Sequence, residues 1–116
     1  MDWDARRRYM AREVLPVMAR EFELYDPRRH ADFDCESCHG ADAESRRYAM
    51  PNPSLRPLYP TGIPQQQAMV REHPRMVRFM YNHVVPNMQR LLGAAPYDPE
   101  TGQGFSCFAC HPRGSS

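Results

Sequence analysis

Two five-residue stretches carry the chemistry of this chain: Cys35-Glu36-Ser37-Cys38-His39 and Cys107-Phe108-Ala109-Cys110-His111. Together they hold all 4 cysteines, and each C-x-x-C pair is followed at once by a histidine. Such a pair is open to four readings: a disulfide, half of a zinc site, a thioredoxin-type redox couple, or the covalent anchor of a c-type haem. The histidine discriminates among them. In C-x-x-C-H the thiols add across the haem vinyl groups as thioethers, and one short helical turn sets the adjacent imidazole under the ring as an iron ligand. A zinc site made of Cys35, Cys38, Cys107 and Cys110 would use every thiolate yet leave His39 and His111 without a role. A redox couple belongs on a βαβ background, and no stretch of the chain shows the period-two alternation of a strand. Two haem c groups are the expected cofactors, with Cys35, Cys38, Cys107 and Cys110 as anchors and His39 and His111 as proximal ligands.

The elements that position these motifs occur twice. Arg8, Met10, Val14, Pro16, Met18 and Arg20 in RYMAREVLPVMAREF fall on Arg78, Met80, Val84, Pro86, Met88 and Arg90 in RFMYNHVVPNMQRLL at a constant offset of 70. The offset then becomes 72: Tyr25-Asp26-Pro27 matches Tyr97-Asp98-Pro99, Phe33 matches Phe105, and the first motif matches the second. The difference of two residues is absorbed near Gly93-Ala94-Ala95-Pro96. Each copy therefore reads as a helix, a Tyr-Asp-Pro turn, a seven-residue loop and a haem site. Met10, Val14, Met18, Phe22 and Tyr25 make one apolar helical stripe, repeated as Met80, Val84, Met88 and Leu91. Asp2 suits the first N-cap and Pro27 stops that helix, while Pro74 suits the first turn of the second and Gly93 its C-terminal cap. Pro16 and Pro86 fall inside the helices, where each should remove a hydrogen bond and introduce a kink. With little else to pack on, the stripes are expected to fold against the macrocycles, leaving the apo-protein largely unfolded.

The fold class follows: mostly α with little or no β, one small pseudo-symmetric dihaem domain over residues 1–116, with repeat 1 at about 8–39 and repeat 2 at about 78–111. A connector, 40–77, has no copy, and its stretch MPNPSLRPLYPTGIP has 5 prolines in 15 residues. It reads as an extended, polyproline-like strap that covers haem edge with Leu55, Leu58 and Tyr59, or as a plain linker.

An electron-transfer haem needs a second axial ligand, and the repeat narrows the choice. Met10/Met80 and Met18/Met88 are the Met or His pairs that precede both motifs. Met18 and Met88 stand two residues past each helical proline and 17 and 19 residues before their cysteines, which leaves the chain room to turn. They are the favoured distal ligands, for their own or the other copy's haem. Met10/Met80, Met50, His30, His73, His83 or an open position are the alternatives, since methionine on an apolar stripe is also ordinary core filler.

Composition sets the class. With 116 residues, 41% of them hydrophobic, and a mean hydropathy of −0.74, the core is thin and a cofactor would help the chain fold. The 15 basic residues are all Arg against 14 carboxylates, so no nucleic-acid footprint appears, and Arg6-Arg7-Arg8 reads as a solvated helix face. No apolar run is long enough to span a membrane. The opening MDWDARRRYM has charges where a secretory signal needs its apolar region, so an export signal is expected outside this sequence, or removed with a new Met1.

A helix bearing an axial Met, a turn and then C-x-x-C-H, used in pseudo-symmetric pairs, resembles the repeat unit of the multihaem cytochrome subunit of photosynthetic reaction centres, and more generally small dihaem c-type cytochromes. The resemblance covers residues 8–39 and 78–111, although the family's interval from Met to Cys is usually shorter and the connector has no counterpart in it. It implies pairing of Met18 with His39 and of Met88 with His111, and electron transfer as the function. The expected partners are other cytochromes, oxidases or reductases, and the expected location is periplasmic or extracellular, where haem is attached. The alternatives are a dihaem enzyme or gas sensor of the peroxidase sort with one open iron position, and a fixed electron-wiring subunit of a larger complex. The carboxylates Asp32, Asp34 and Glu36 around the first motif should give the haem on His111 the higher potential.

Overall fold

The computed structural model describes residues 2–114. Two helices, of 23 and 19 residues, dominate it, and the described residues contain isolated bridges but no β-sheet. The first helix, α1, begins as Trp3–Tyr9, passes through a π-helical turn at Met10–Val14 and continues as Leu15–Tyr25. A one-turn helix, α2, is the first motif itself, Cys35–His39. Then come α3, Pro64–Glu72, and the second long helix, α4, made of Pro74–Phe79, a π-helical turn Met80–Val84 and Val85–Leu92. The second motif forms a short 3-10 turn, Cys107–Ala109.

The helix ends follow local rules. Asp2 accepts the Ala5 N–H at 2.7 Å, satisfying a donor that has no intrahelical partner. Asp26 turns extended before Pro27, whose ring disfavours helix in the preceding residue. Pro74 opens α4 at a position whose N–H would be unpaired in any case, and Gly93 closes it in the left-handed conformation at φ 61°.

The expected disturbance at Pro16 and Pro86 takes a specific form. Leu15 N–H bonds the Met10 carbonyl and Val85 N–H bonds the Met80 carbonyl, five residues back in each case, immediately before the proline. The widened turn takes the carbonyl four residues back out of the way of the proline ring. It also corrects the stripe. In an α-helix a strict four-residue spacing drifts by about 40° per step, so Met10, Val14, Met18 and Phe22 would wander by about 120°. One extra residue in the turn removes about 100° of that drift and returns the four side chains to one face.

That face packs on the other long helix, which runs antiparallel. Tyr9 O–H donates to the Leu91 carbonyl at one end, and Tyr25 stacks on Phe79 at 4.2 Å between ring centroids at the other. Val14, Met18, Phe22 and Phe79 are buried between the helices, with Met10, Met80, Val84, Met88 and Leu91 partly buried around them. Each fully buried side chain of this kind stabilises by roughly 1.5–3 kcal/mol. The stripes thus have one another to pack on, which removes the reason for expecting them to fold only against macrocycles.

The connector departs from expectation too. Within 40–77 the structure has α3, which opens on Pro64 and runs through the good helix formers Gln65, Gln66, Gln67, Ala68 and Met69. The extended part before it is hydrogen-bonded to the C-terminal segment: Leu58 N–H to the Pro112 carbonyl at 2.9 Å and Gly114 N–H to the Leu58 carbonyl at 2.8 Å. It is therefore not a plain linker.

Candidate cofactor-binding site

Both motifs are held in helical turns by the residue that precedes them. Asp34 accepts the Glu36 N–H at 3.0 Å while Ser37 Oγ accepts the Asp34 N–H at 3.0 Å, a reciprocal cap on α2. At the matching position of the second motif, Ser106 accepts the Phe108 N–H at 3.3 Å. The loops before the motifs are anchored at Phe33 and Phe105. The Phe33 ring stacks on Phe22 at 4.6 Å, whereas the Phe105 backbone bonds the Ala95 carbonyl at 2.9 Å and receives Gln89 Nε2 at 3.0 Å.

The two proximal candidates stand in different surroundings. His111 Nδ1 lies 2.9 Å from the Arg56 carbonyl oxygen. A carbonyl only accepts, so Nδ1 is the protonated nitrogen, and neutral imidazole then has its Nε2 lone pair free for a metal. His39 Nδ1 is enclosed and makes no hydrogen bond, and its ring meets Tyr48 edge to face at 5.5 Å. Burial lowers the pKa of His39, favouring the neutral imidazole that ligation requires. Arg46 donates to the His39 carbonyl and pairs with Asp42 at 3.1 Å, fixing the chain just after the motif.

The four cysteines are free thiols. Burial pushes Cys38 up to about 12 and Cys110 up to about 11, and raises Cys107 as well. That is opposite to the lowered thiol pKa of a redox-active C-x-x-C pair. Among the described residues no three His, Cys, Asp or Glu side chains are grouped as they would be around a metal ion. The donor set fits haem c better: in each motif two thiols and an imidazole are borne by five consecutive residues.

The motifs meet at a residue the sequence reading passed over. Asn52 is only 2% exposed, and it bonds both of them: Nδ2–H donates to the Cys38 carbonyl at 3.0 Å and the backbone N–H to the Cys110 carbonyl at 2.8 Å. Its Oδ1 accepts the Ser54 N–H at 2.9 Å. Gly40 closes α2 at φ 98°, and a Cβ there would come within 2.9 Å of Asn52 Oδ1. The sequence held one hint, an amide between two prolines in Pro51-Asn52-Pro53, where the backbone is already restricted.

The favoured distal ligands, Met18, 3% exposed, and the half-buried Met88, belong to one interhelical cluster. Met10 and Met80 border that cluster. His30 packs edge-on against Phe22 at 5.1 Å with Nε2 unbonded, and His83 faces Glu21 at 3.4 Å. The chain is thus a small, mostly helical protein whose two C-x-x-C-H spacings suit c-type haem attachment, and none of its described helices is long and apolar enough to cross a membrane. Compared with known proteins, it matches no family model, no curated protein and no solved structure.

Proposed function

We propose that this protein transfers electrons through two covalently bound c-type haems, one at each C-x-x-C-H motif, within one domain of two pseudo-symmetric repeats. The observation that carries the reading is that each motif opens as a side-chain-capped helical turn, with His39 the last residue of the first and His111 just past the second, its N–H on the Cys107 carbonyl at 2.9 Å, on a chain whose every cysteine belongs to such a motif. The bound groups supply one-electron iron couples. Cys35 and Cys38, and Cys107 and Cys110, anchor them. His39 and His111 present Nε2, the latter oriented by the Arg56 carbonyl. Met18 and Met88 would supply the second ligands, which would leave substrate no place on the metal and make the protein a carrier, free or wired into a larger complex, rather than an enzyme. Its partners are mid-to-high-potential cytochromes, oxidases or reductases met through small contacts. Its place is outside the cytoplasmic membrane, where haem is attached.

A second reading rests on the burial of Met18. If Met18 stays packed with Val14, Phe22 and Phe79, the first iron would keep an open position, as in a gas sensor or a peroxidase-like enzyme. Protein matured with the haem-attachment machinery decides between them. Mass spectrometry should find two haems added covalently, and one haem, or zinc with free thiols, would end the proposal. Carbon monoxide added to the reduced protein should leave the spectrum unchanged for a carrier and alter that of one haem for the second reading.

A further inference from the structure

We infer that Asn52 is a positioning residue that sets the two haems at a fixed mutual distance and orientation, so that they act as one electronically coupled pair. The inference rests on the dihaem reading. Each macrocycle is tied by two thioethers to the backbone of its own motif, so its placement is that of the motif. Most links between the repeats run through the long helices, remote in sequence from either motif. Asn52 instead joins the motifs at the attachment cysteines themselves, through the carbonyls of Cys38 and Cys110. These are the second cysteine of each motif, each next to its histidine, so equivalent atoms of the two sites are held by one residue.

The link is built to be stiff. The carboxamide is held by the Ser54 N–H on Oδ1 and the Cys38 carbonyl on Nδ2, and Gly40, lacking the Cβ that would crowd Oδ1 at 2.9 Å, leaves it room to sit there. Pro51 and Pro53 restrict the backbone on both sides of it. Burial removes competing water, and a buried amide left unpaired carries its full desolvation penalty, so the bonds to both motifs stay made. Electron transfer between two haems depends steeply on their separation, and a residue that spans both anchors is the shortest route for controlling it. Asn52 touches neither iron nor reacting atom, and acts only through the cysteine carbonyls.

The test uses the haem-loaded protein and the exciton couplet that two close, oriented haems produce in Soret circular dichroism. Asn52→Asp has nearly the same shape and keeps Oδ1 for Ser54, but replaces the donor to Cys38 with an acceptor; Asn52→Ala removes the side chain and keeps the N–H to Cys110. Both should retain two haems by mass and the parent's helical far-UV signal, and both should lose most of the couplet. Asn82→Asp, an exposed change on α4, should leave it intact. An unchanged couplet in both Asn52 variants overturns the inference while the dihaem reading stands. A parent with two haems and no couplet also overturns it, and a parent with fewer than two haems overturns both. A general structural role for Asn52 would lower the melting temperature without moving the couplet, and that result counts against the inference as well.

Discussion

His111 Nδ1 and the carbonyl oxygen of Arg56 are 2.9 Å apart although 55 residues separate them in the chain. The acceptor is a backbone atom, so its position depends on how the strap lies against the C-terminal segment, and there the Leu58 N–H on the Pro112 carbonyl is the nearest fastening. Leu58→Pro deletes that donor. The lost bond should cost about 1–3 kcal/mol, read as a lower melting temperature. A donating Nδ1–H makes the imidazole a stronger ligand and favours ferric iron, so loosening the carbonyl should also raise the potential of the haem on His111. A redox titration should show one potential moving upward and the other staying in place.

Met18 and Met88 occupy equivalent sequence positions but unequal surroundings, and that separates packing from ligation. Met18→Ala opens a cavity between Val14, Phe22 and Phe79 and should cost about 2–5 kcal/mol, and Met88→Ala, at a half-buried site, should cost less. Each change should also abolish the red ferric charge-transfer band of one haem and open that haem to carbon monoxide. Chemical denaturation and optical spectra of the same samples give both numbers. Retention of both bands moves the ligands elsewhere, first to Met10 and Met80.

The charges at the two motifs differ, and Asp34 is the one held in place. Asp34 and Glu36 are both exposed, but the Asp34 carboxylate caps α2 through the Glu36 N–H. A negative charge held beside the first site would stabilise ferric iron there, although solvent screens both carboxylates. Asp34→Asn keeps a good N-cap. It should raise the lower of the two potentials without melting α2, and Glu36→Gln should do so by a smaller amount. A titration in which the higher potential moves instead reverses the assignment of the haem on His111 as the first reduced.

His30 gives the protein a pH dependence of predictable sign. Burial, then the charge of Arg29, lowers its pKa from 6.5, against a smaller opposing effect of Asp26. As pH falls below 6.5 the unfolded chain takes up the proton first, so stability drops until the folded imidazole protonates too. His30→Gln should flatten that part of the curve. Melting temperatures measured from about pH 7.5 down to 5 for parent and variant give the difference directly.

What the sequence determined by itself was local. The two C-x-x-C-H spacings, the caps Asp2 and Gly93, the stop at Pro27 and the start at Pro74 depend on a few neighbouring residues, and the structure has each cap and end at its expected place. The apolar stripes were legible for the same reason, being periodic. What filled the space beside them was not, because a stripe records only that a face is buried and not against what. Tertiary packing set α1 and α4 antiparallel, with Tyr9 at Leu91 and Tyr25 at Phe79. The helical prolines are met by π turns, which clear the proline ring locally and also return each stripe to the face the two helices share. Tertiary packing also chose the partners of the strap. Asn52 meets Cys38 and Cys110, and Arg56 meets His111, through backbone carbonyls, which every residue carries and no side-chain pattern marks.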